Sequence, residues 1–244
     1  HELTTSLTVL KFLNVTPKTG AAYTGYYDVG GIGADNRLLG YLGCDINMKF
    51  HNTYPNFRFK PYGMQGLTHL IQPYANYSQG KLSSSNEYVP QVDTWSSIHG
   101  GSTTNPVPMD LCGFTGIDGW GNWNIWRFGV KNAFSTTVDG ERKRFLTWDT
   151  FVDYNVDNPD ASYRFSNLYN VVSFSPSERL NLYMTTKTPT IDNDEGYKQY
   201  SIGARIIPAS WLETYASYHN IEDHPTQKDS GQFQLRTNVR VNEK

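Results

Sequence analysis

The 244-residue sequence holds no run approaching the roughly eighteen apolar residues of a membrane helix, so no span of that kind is expected. That absence leaves strands untouched, because barrel strands alternate and escape hydropathy scans. Cysteine is scarce. Cys44 and Cys112 could form one bridge, but two cysteines cannot build a disulfide scaffold, and Cys44 falls among Leu42, Ile46 and Met48 on an apolar face. Hydrophobic residues make up only 38% and the mean hydropathy is −0.56, low for a thick buried core. A formal net charge of −2 provides no broad basic field, which argues against nucleic acid as a partner. The chain opens at His1 with neither Met nor a signal peptide, so it reads as mature or excised, and no targeting signal can be taken from it.

Recognisable chemistry is equally scarce. There is no Gly-x-Ser-x-Gly elbow, and His1, His51, His69, His99, His219 and His224 show no metal-ligand spacing. The glycines of Val29–Asn36 are followed by neither a Lys-Ser/Thr pair nor a helix, so they read as a loop and not a phosphate cradle. Asp192–Gly196 has carboxylates for Ca²⁺ but lacks the full loop and its terminal Glu, and reads as a solvated loop. Asp149 and Asp153 would stand roughly 13 Å apart along a strand. A glycosidase pair needs about 5–9.5 Å. No cofactor and no catalytic role is expected.

What the chain has instead is aromatic residues and alternation. Aromatics reach 14%, with 17 Tyr, a composition suited to a thin apolar surface with wet rims. The clearest stretch is Phe145–Asp157. Leu146, Trp148, Thr150, Val152, Tyr154 and Val156 fall on one face, while Thr147, Asp149, Phe151 and Asp153 fall on the other. That period of two predicts a β-strand, longer than the usual five or six residues or so. Arg37–Phe50 repeats the pattern, with Leu38, Leu42 and Ile46 opposite Arg37, Tyr41 and Asp45. Further strands are expected over Leu3–Leu13, Val15–Asp28 and Gly66–Ser78, and then in quick succession from Gly119 to Asn242, with an Asp139-Gly140 hairpin turn. His51–Gly66, with Pro55 and Pro61, reads as irregular. Gln79–Asp118 reads as a long loop of a length uncommon unless functional.

The count is about eleven strands without a convincing helix, in a single domain over 1–244. Connections in the second half alternate short and long, the habit of outer-membrane barrels. The fold class expected is therefore all-β, an antiparallel transmembrane β-barrel. Most strands reach the nine to eleven or so residues that cross a bilayer when tilted, and aromatics near strand ends suit interfacial girdles. In a soluble sandwich the charged faces would point outward, and in a barrel they would line a hydrated lumen; periodicity alone leaves both open. On the barrel reading the lumen face carries Arg127, Lys131, Asp149, Asp153, Arg205, Glu213, Arg236 and Arg240. An odd strand count is at odds with antiparallel closure, so either one strand goes unread or the chain is part of a larger barrel, which the absent signal peptide favours.

Certain residues also resemble a family. His69-Leu70-Ile71-Gln72-Pro73-Tyr74-Ala75-Asn76-Tyr77, then Pro90 and Asp93, then Gly116-Ile117-Asp118 and Asn122 are similar to the C-terminal barrel of the lipopolysaccharide-assembly outer-membrane proteins. Val15-Thr16-Pro17 with Gly20 and Tyr23 looks like that family's preceding strand. Order and spacing agree over about half the chain, and Gly119 departs from the Arg usual at its position. The resemblance implies a non-enzymatic barrel in the outer membrane that releases lipopolysaccharide into the outer leaflet among the outer-membrane lipids. It also implies a plug lipoprotein in the lumen and a periplasmic bridge that delivers the lipid. Under it, Arg127, Lys131, Arg205, Arg236 and Arg240 are candidates for contacts with sugar-phosphate or plug. A secreted soluble β-sandwich that binds carbohydrate and a general diffusion porin are the alternatives.

Overall fold

A computed structural model describes residues 1–27, 35–83, 106–111, 121–157, 164–190, 196–224 and 227–241. These carry thirteen strands. They are β1 (Glu2–Thr4), β2 (Leu7–Val9), β3 (Leu13–Tyr26), β4 (Asp35–Met48), β5 (Phe50–Phe59), β6 (Met64–Leu82) and β7 (Trp123–Val138). After them come β8 (Glu141–Asp157), β9 (Leu168–Ser177), β10 (Leu180–Thr188), β11 (Lys198–Ala209), β12 (Leu212–Glu222) and β13 (Ser230–Val239). All belong to one sheet, in the order β1-β3-β4-β6-β7-β8-β9-β10-β11-β12-β13, with β2 paired to β3 and β5 to β6. The order runs from one edge to another, and no pairing among the described residues closes it. A 3₁₀ turn, Lys60–Tyr62, joins β5 to β6, and among the described residues no helix is long and apolar enough to cross a membrane.

Two prolines reconcile thirteen strands with an expected eleven. Leu3↔Thr19 and Leu7↔Val15 keep one register, so β1 and β2 are one strand interrupted at Thr5 and Ser6. The gap lies opposite Pro17. Likewise Asn47↔Tyr74 and Phe50↔Ile71 keep one register, so β4 and β5 run on through a break opposite Pro73. Proline has no amide hydrogen to give the ladder, and each partner strand is interrupted there, with Thr5 still donating to the Pro17 carbonyl at 3.3 Å. His51–Gly66, expected to be irregular, is thus mostly strand. Pro55 is accommodated because the β5–β6 register shifts between Tyr54 and Arg58, where a bulge needs no donor.

With these pieces joined, every strand pairs with its chain neighbour. Connections at 10–12, 60–63, 139–140, 178–179 and 210–211 are short, and those at 27–34, 83–122, 158–167, 189–197 and 223–229 are longer. The alternation read in the second half extends through all the described strands. Asp139 and Gly140 both have positive φ, 52° and 84°, as a two-residue hairpin turn requires. The expected loop 79–118 starts later, because β6 runs to Leu82.

The described residues form two compact units, and β6, β7 and β8 contribute to both. The first unit comprises β1 to β4, the 74–82 part of β6, the start of β7 and the end of β8. Along its β4, Arg37, Leu39 and Tyr41 are buried and the alternate residues Leu38 and Leu42 are exposed. The second unit takes the remainder, including β9 to β13. There Lys187 and Gln199 are buried, whereas Leu182, Met184, Ile202 and Ile206 are exposed. In the first unit the charged or polar face is the covered one, and in the second it is covered at Lys187 and Gln199 but open at Lys131 and Arg236. Arg37 is 2% and Asp153 3% exposed, against 55% for Leu42 and 67% for Phe233.

Candidate functional site: the polar face

In the first unit the polar face is roofed by Pro106–Leu111, a piece of the long connection. Tyr41 is fixed by strand alternation on the covered side of β4, and its hydroxyl donates to the Met109 carbonyl at 2.6 Å. The Leu111 amide donates to the Glu2 carboxylate at 2.8 Å. Lys18, buried on β3, reaches Asp45 across the β3–β4 pair at 2.6 Å and also donates to Asp110. Apolar packing completes the roof: Leu111 joins Leu39, Tyr41, Trp123 and Ile125 in one buried cluster. The Trp123 indole lies over Gly80 and donates to Ser78 Oγ at 3.0 Å. A Cβ at position 80 would meet that ring at 2.1 Å, which is why a glycine stands there.

Arg127 is the centre of the second cluster in this unit. Its Nε and one Nη donate to the two Asp153 oxygens at 2.7 and 2.8 Å, the bidentate fork in which Arg excels. That same Nη also donates to the Val107 carbonyl at 2.7 Å, tying the roof to β7. Ser166 Oγ accepts the Asp153 amide at 2.9 Å. A buried guanidinium and carboxylate satisfied this fully form a rigid fixture.

In the second unit the polar face is more open. Lys131 and Asp149 face each other at 3.7 Å. Arg205 Nε donates to Glu213 at 2.5 Å, and the Tyr215 hydroxyl donates to the same carboxylate at 2.8 Å. Tyr183 lies across Gly203, its directly paired residue on β11. Lys187 stands 5.8 Å over the Tyr169 ring. Arg236, on the exposed last strand, donates to Asn238 at 3.4 Å, and Arg240 follows that strand and is exposed. Two grooves indent this face. One is lined by Thr68, Leu70, Ala133, Ser135, Arg142 and Arg144. The other shares Leu70, Ala133 and Arg144 with it and adds Lys131, Thr147 and Asp149.

Of the eight lumen candidates, six thus resolve into three ion pairs: Arg127–Asp153, Lys131–Asp149 and Arg205–Glu213. Asp149 and Asp153 are engaged with different cations. Among the motif residues, His69 stacks on Phe134 at 4.1 Å and its Nε2 meets Asn132 Oδ1 at 3.0 Å. Tyr77 packs on Trp126 at 4.9 Å, and Asn122 accepts the Leu82 amide at 2.9 Å. Pro90, Asp93, Gly116 and Asp118 lie outside the described residues, as do 29–34, 192–195 and Cys112. Cys44 is a free thiol. Sequence reading missed Lys18, Asp110, Arg142 and Arg144. Lys18 carried a legible signal in its alternation with Pro17 and Thr19, whereas Asp110 sits in a segment without periodicity. Among the described residues no three of His, Cys, Asp and Glu converge as a metal site.

The chain matches no protein-family model and no curated protein.

Proposed function

We propose that this chain is part of an outer-membrane β-barrel that passes lipopolysaccharide to the outer leaflet, as a conduit and not as an enzyme. The carrying observation is the inversion of the faces. Leu38, Leu42, Trp148, Leu182, Met184, Ile202, Ile206, Phe233 and Leu235 are exposed on the apolar side while charges are buried on the other. Half-exposing such a side chain in water forgoes on the order of 1 kcal/mol, and nine together forgo on the order of 10 kcal/mol, as much as a domain's whole net stability. Hydrocarbon around that face removes the penalty. Strands of 9 to 19 residues from β6 onward and the strict alternation of short and long connections support the same reading. A water-soluble sandwich would need those greasy faces covered.

The choice of lipopolysaccharide is supported by the sequence resemblance around Gly66–Asp118 and by a polar face able to receive a phosphorylated, glycosylated headgroup. The partners implied are lipopolysaccharide, the surrounding outer-membrane lipids, a plug lipoprotein and a periplasmic bridge. Extraction should require detergent, unheated protein should migrate faster on a gel than boiled protein, and brominated lipid should quench Trp148. Partition into the soluble fraction without detergent would refute the barrel. Depletion of the protein in its own cells should lower surface lipopolysaccharide. Unchanged surface lipopolysaccharide alongside steady conductance in planar bilayers would make it a diffusion porin instead.

A further inference from the structure

Arg142 and Arg144 differ from six of the other strand cations. Lys18, Arg127, Lys131, Lys143, Lys198 and Arg205 each have a carboxylate no farther than 3.7 Å away. Lys143, between the two arginines in sequence, pairs with Glu178 at 3.5 Å. Arg142 and Arg144 themselves have no ion pair among the described residues and are exposed, yet they line one groove of about 450 Å³. The adjoining groove of about 260 Å³, which Arg144 also lines, brings in Lys131. Three cations therefore line these two grooves with a single carboxylate, Asp149, which already faces Lys131.

We propose that Arg142 and Arg144, with Lys131 in the adjoining groove, form a binding subsite for a phosphomonoester carried on a sugar. Two arginines at alternate positions of one strand stand roughly 7 Å apart at Cα, a spacing that lets both forks reach one phosphate. Guanidinium matches phosphate oxygens in bidentate fashion, and a solvated anion supplies the counter-charge that the protein leaves out. The Thr68 and Ser135 hydroxyls in the same groove suit sugar hydroxyls, and Leu70 and Ala133 give a small apolar floor. The subsite deepens the barrel reading and rests on it for the ligand's source, a lipid headgroup; a free sugar phosphate has the same chemistry.

The test uses the full chain folded in detergent, titrated by calorimetry and ³¹P NMR. The probes are inorganic phosphate, glucosamine 1-phosphate, and an acylated, phosphorylated glucosamine disaccharide in mixed micelles. Saturable binding is expected, with affinity falling as salt rises. Arg142→Gln with Arg144→Gln should weaken it about tenfold or more, the loss of charge-assisted hydrogen bonds to one anion. Arg142→Lys with Arg144→Lys should recover part of the affinity, and Lys143→Gln should leave it unchanged. Tighter binding of the acylated probe than of the soluble one assigns the site to a lipid headgroup, and equal binding assigns it to free sugar phosphate. No saturable binding of any probe, or a double variant binding as the parent does, overturns the subsite. Heat-modifiable migration is read on the same samples, so a lost subsite in an intact barrel is told apart from a protein that forms no barrel.

Discussion

The sharpest energetic contrast on the polar face is between Arg127–Asp153 and Lys131–Asp149, two pairs joining the same two strands. Asp153 takes two hydrogen bonds from Arg127, and the side chains are only 12% and 5% exposed. Asp153→Ala would leave the guanidinium buried beside the Val107 carbonyl without its carboxylate, which should cost about 3–5 kcal/mol. Asp153→Asn keeps the shape but gives up the charge and should cost about 1.5–3 kcal/mol. Lys131 and Asp149 lie 3.7 Å apart with side chains 55% and 25% exposed, so solvent screens them and their coupling should stay below about 1 kcal/mol. Two double-mutant cycles, Arg127→Gln/Asp153→Asn and Lys131→Gln/Asp149→Asn, measure both couplings from urea unfolding followed by tryptophan fluorescence in detergent. A coupling at Arg127–Asp153 of at least about 2 kcal/mol is expected. Equal couplings would refute the claim that burial on the polar face sets the strength of its ion pairs.

Gly80→Ala places a methyl against the Trp123 indole, where the ideal Cβ would sit 2.1 Å from the ring, and should destabilise by about 1–3 kcal/mol in the same unfolding assay. Tyr41→Phe removes the donor to the Met109 carbonyl, should cost about 1–3 kcal/mol, and should speed proteolysis within 106–111. His224 lies beyond β12 with its ring 4.5 Å from Tyr197, and Nδ1 accepts the Gln227 amide at 3.1 Å. Burial, and secondarily the Lys187 charge, holds its imidazole below the usual value. The folded state therefore favours neutral His224, whose contribution is complete above a pH of about 6.5 and lost as pH falls through the lower folded pKa. Exchange of the Gln227 amide, normalised to its intrinsic rate, should accelerate over that descent. A flat profile would count against the assignment.

Alternation made the fold legible. β4 and, from Leu146 onward, β8 place Leu38, Leu42 and Trp148 on one side and Arg37, Tyr41 and Asp153 on the other, whereas Arg142 and Arg144, at Trp148's parity, line a groove with Ala133 and Ser135, a placement alternation does not give. β5 was not legible because His51, Asn52, Thr53 and Tyr54 show no contrast between faces, and nearly all of that strand is exposed. Its identity comes from pairing with β6, a non-local property. The same limit hid the roof. Pro106–Leu111 has no periodicity, and Asp110 meets Lys18 only through the folded chain, 92 residues away in sequence. Arg127 and Asp153 could be put on matching faces by parity, but parity says nothing of which cation takes which carboxylate. For that reason Arg142 and Arg144 emerge only once the other pairs are accounted for.

The meander has a consequence for how such a chain is built and altered. Because each described strand, joined across the Pro17 and Pro73 breaks, pairs with its neighbours in chain order, any two successive strands form a hairpin. Adding or deleting one hairpin changes the sheet's width by two strands and leaves every other register intact. Sheet width is thus adjustable in steps of two by duplication of one short genetic segment. A cut within 189–197 would separate blocks that each retain their internal pairings, making two-fragment reassembly of the sheet a direct physical possibility.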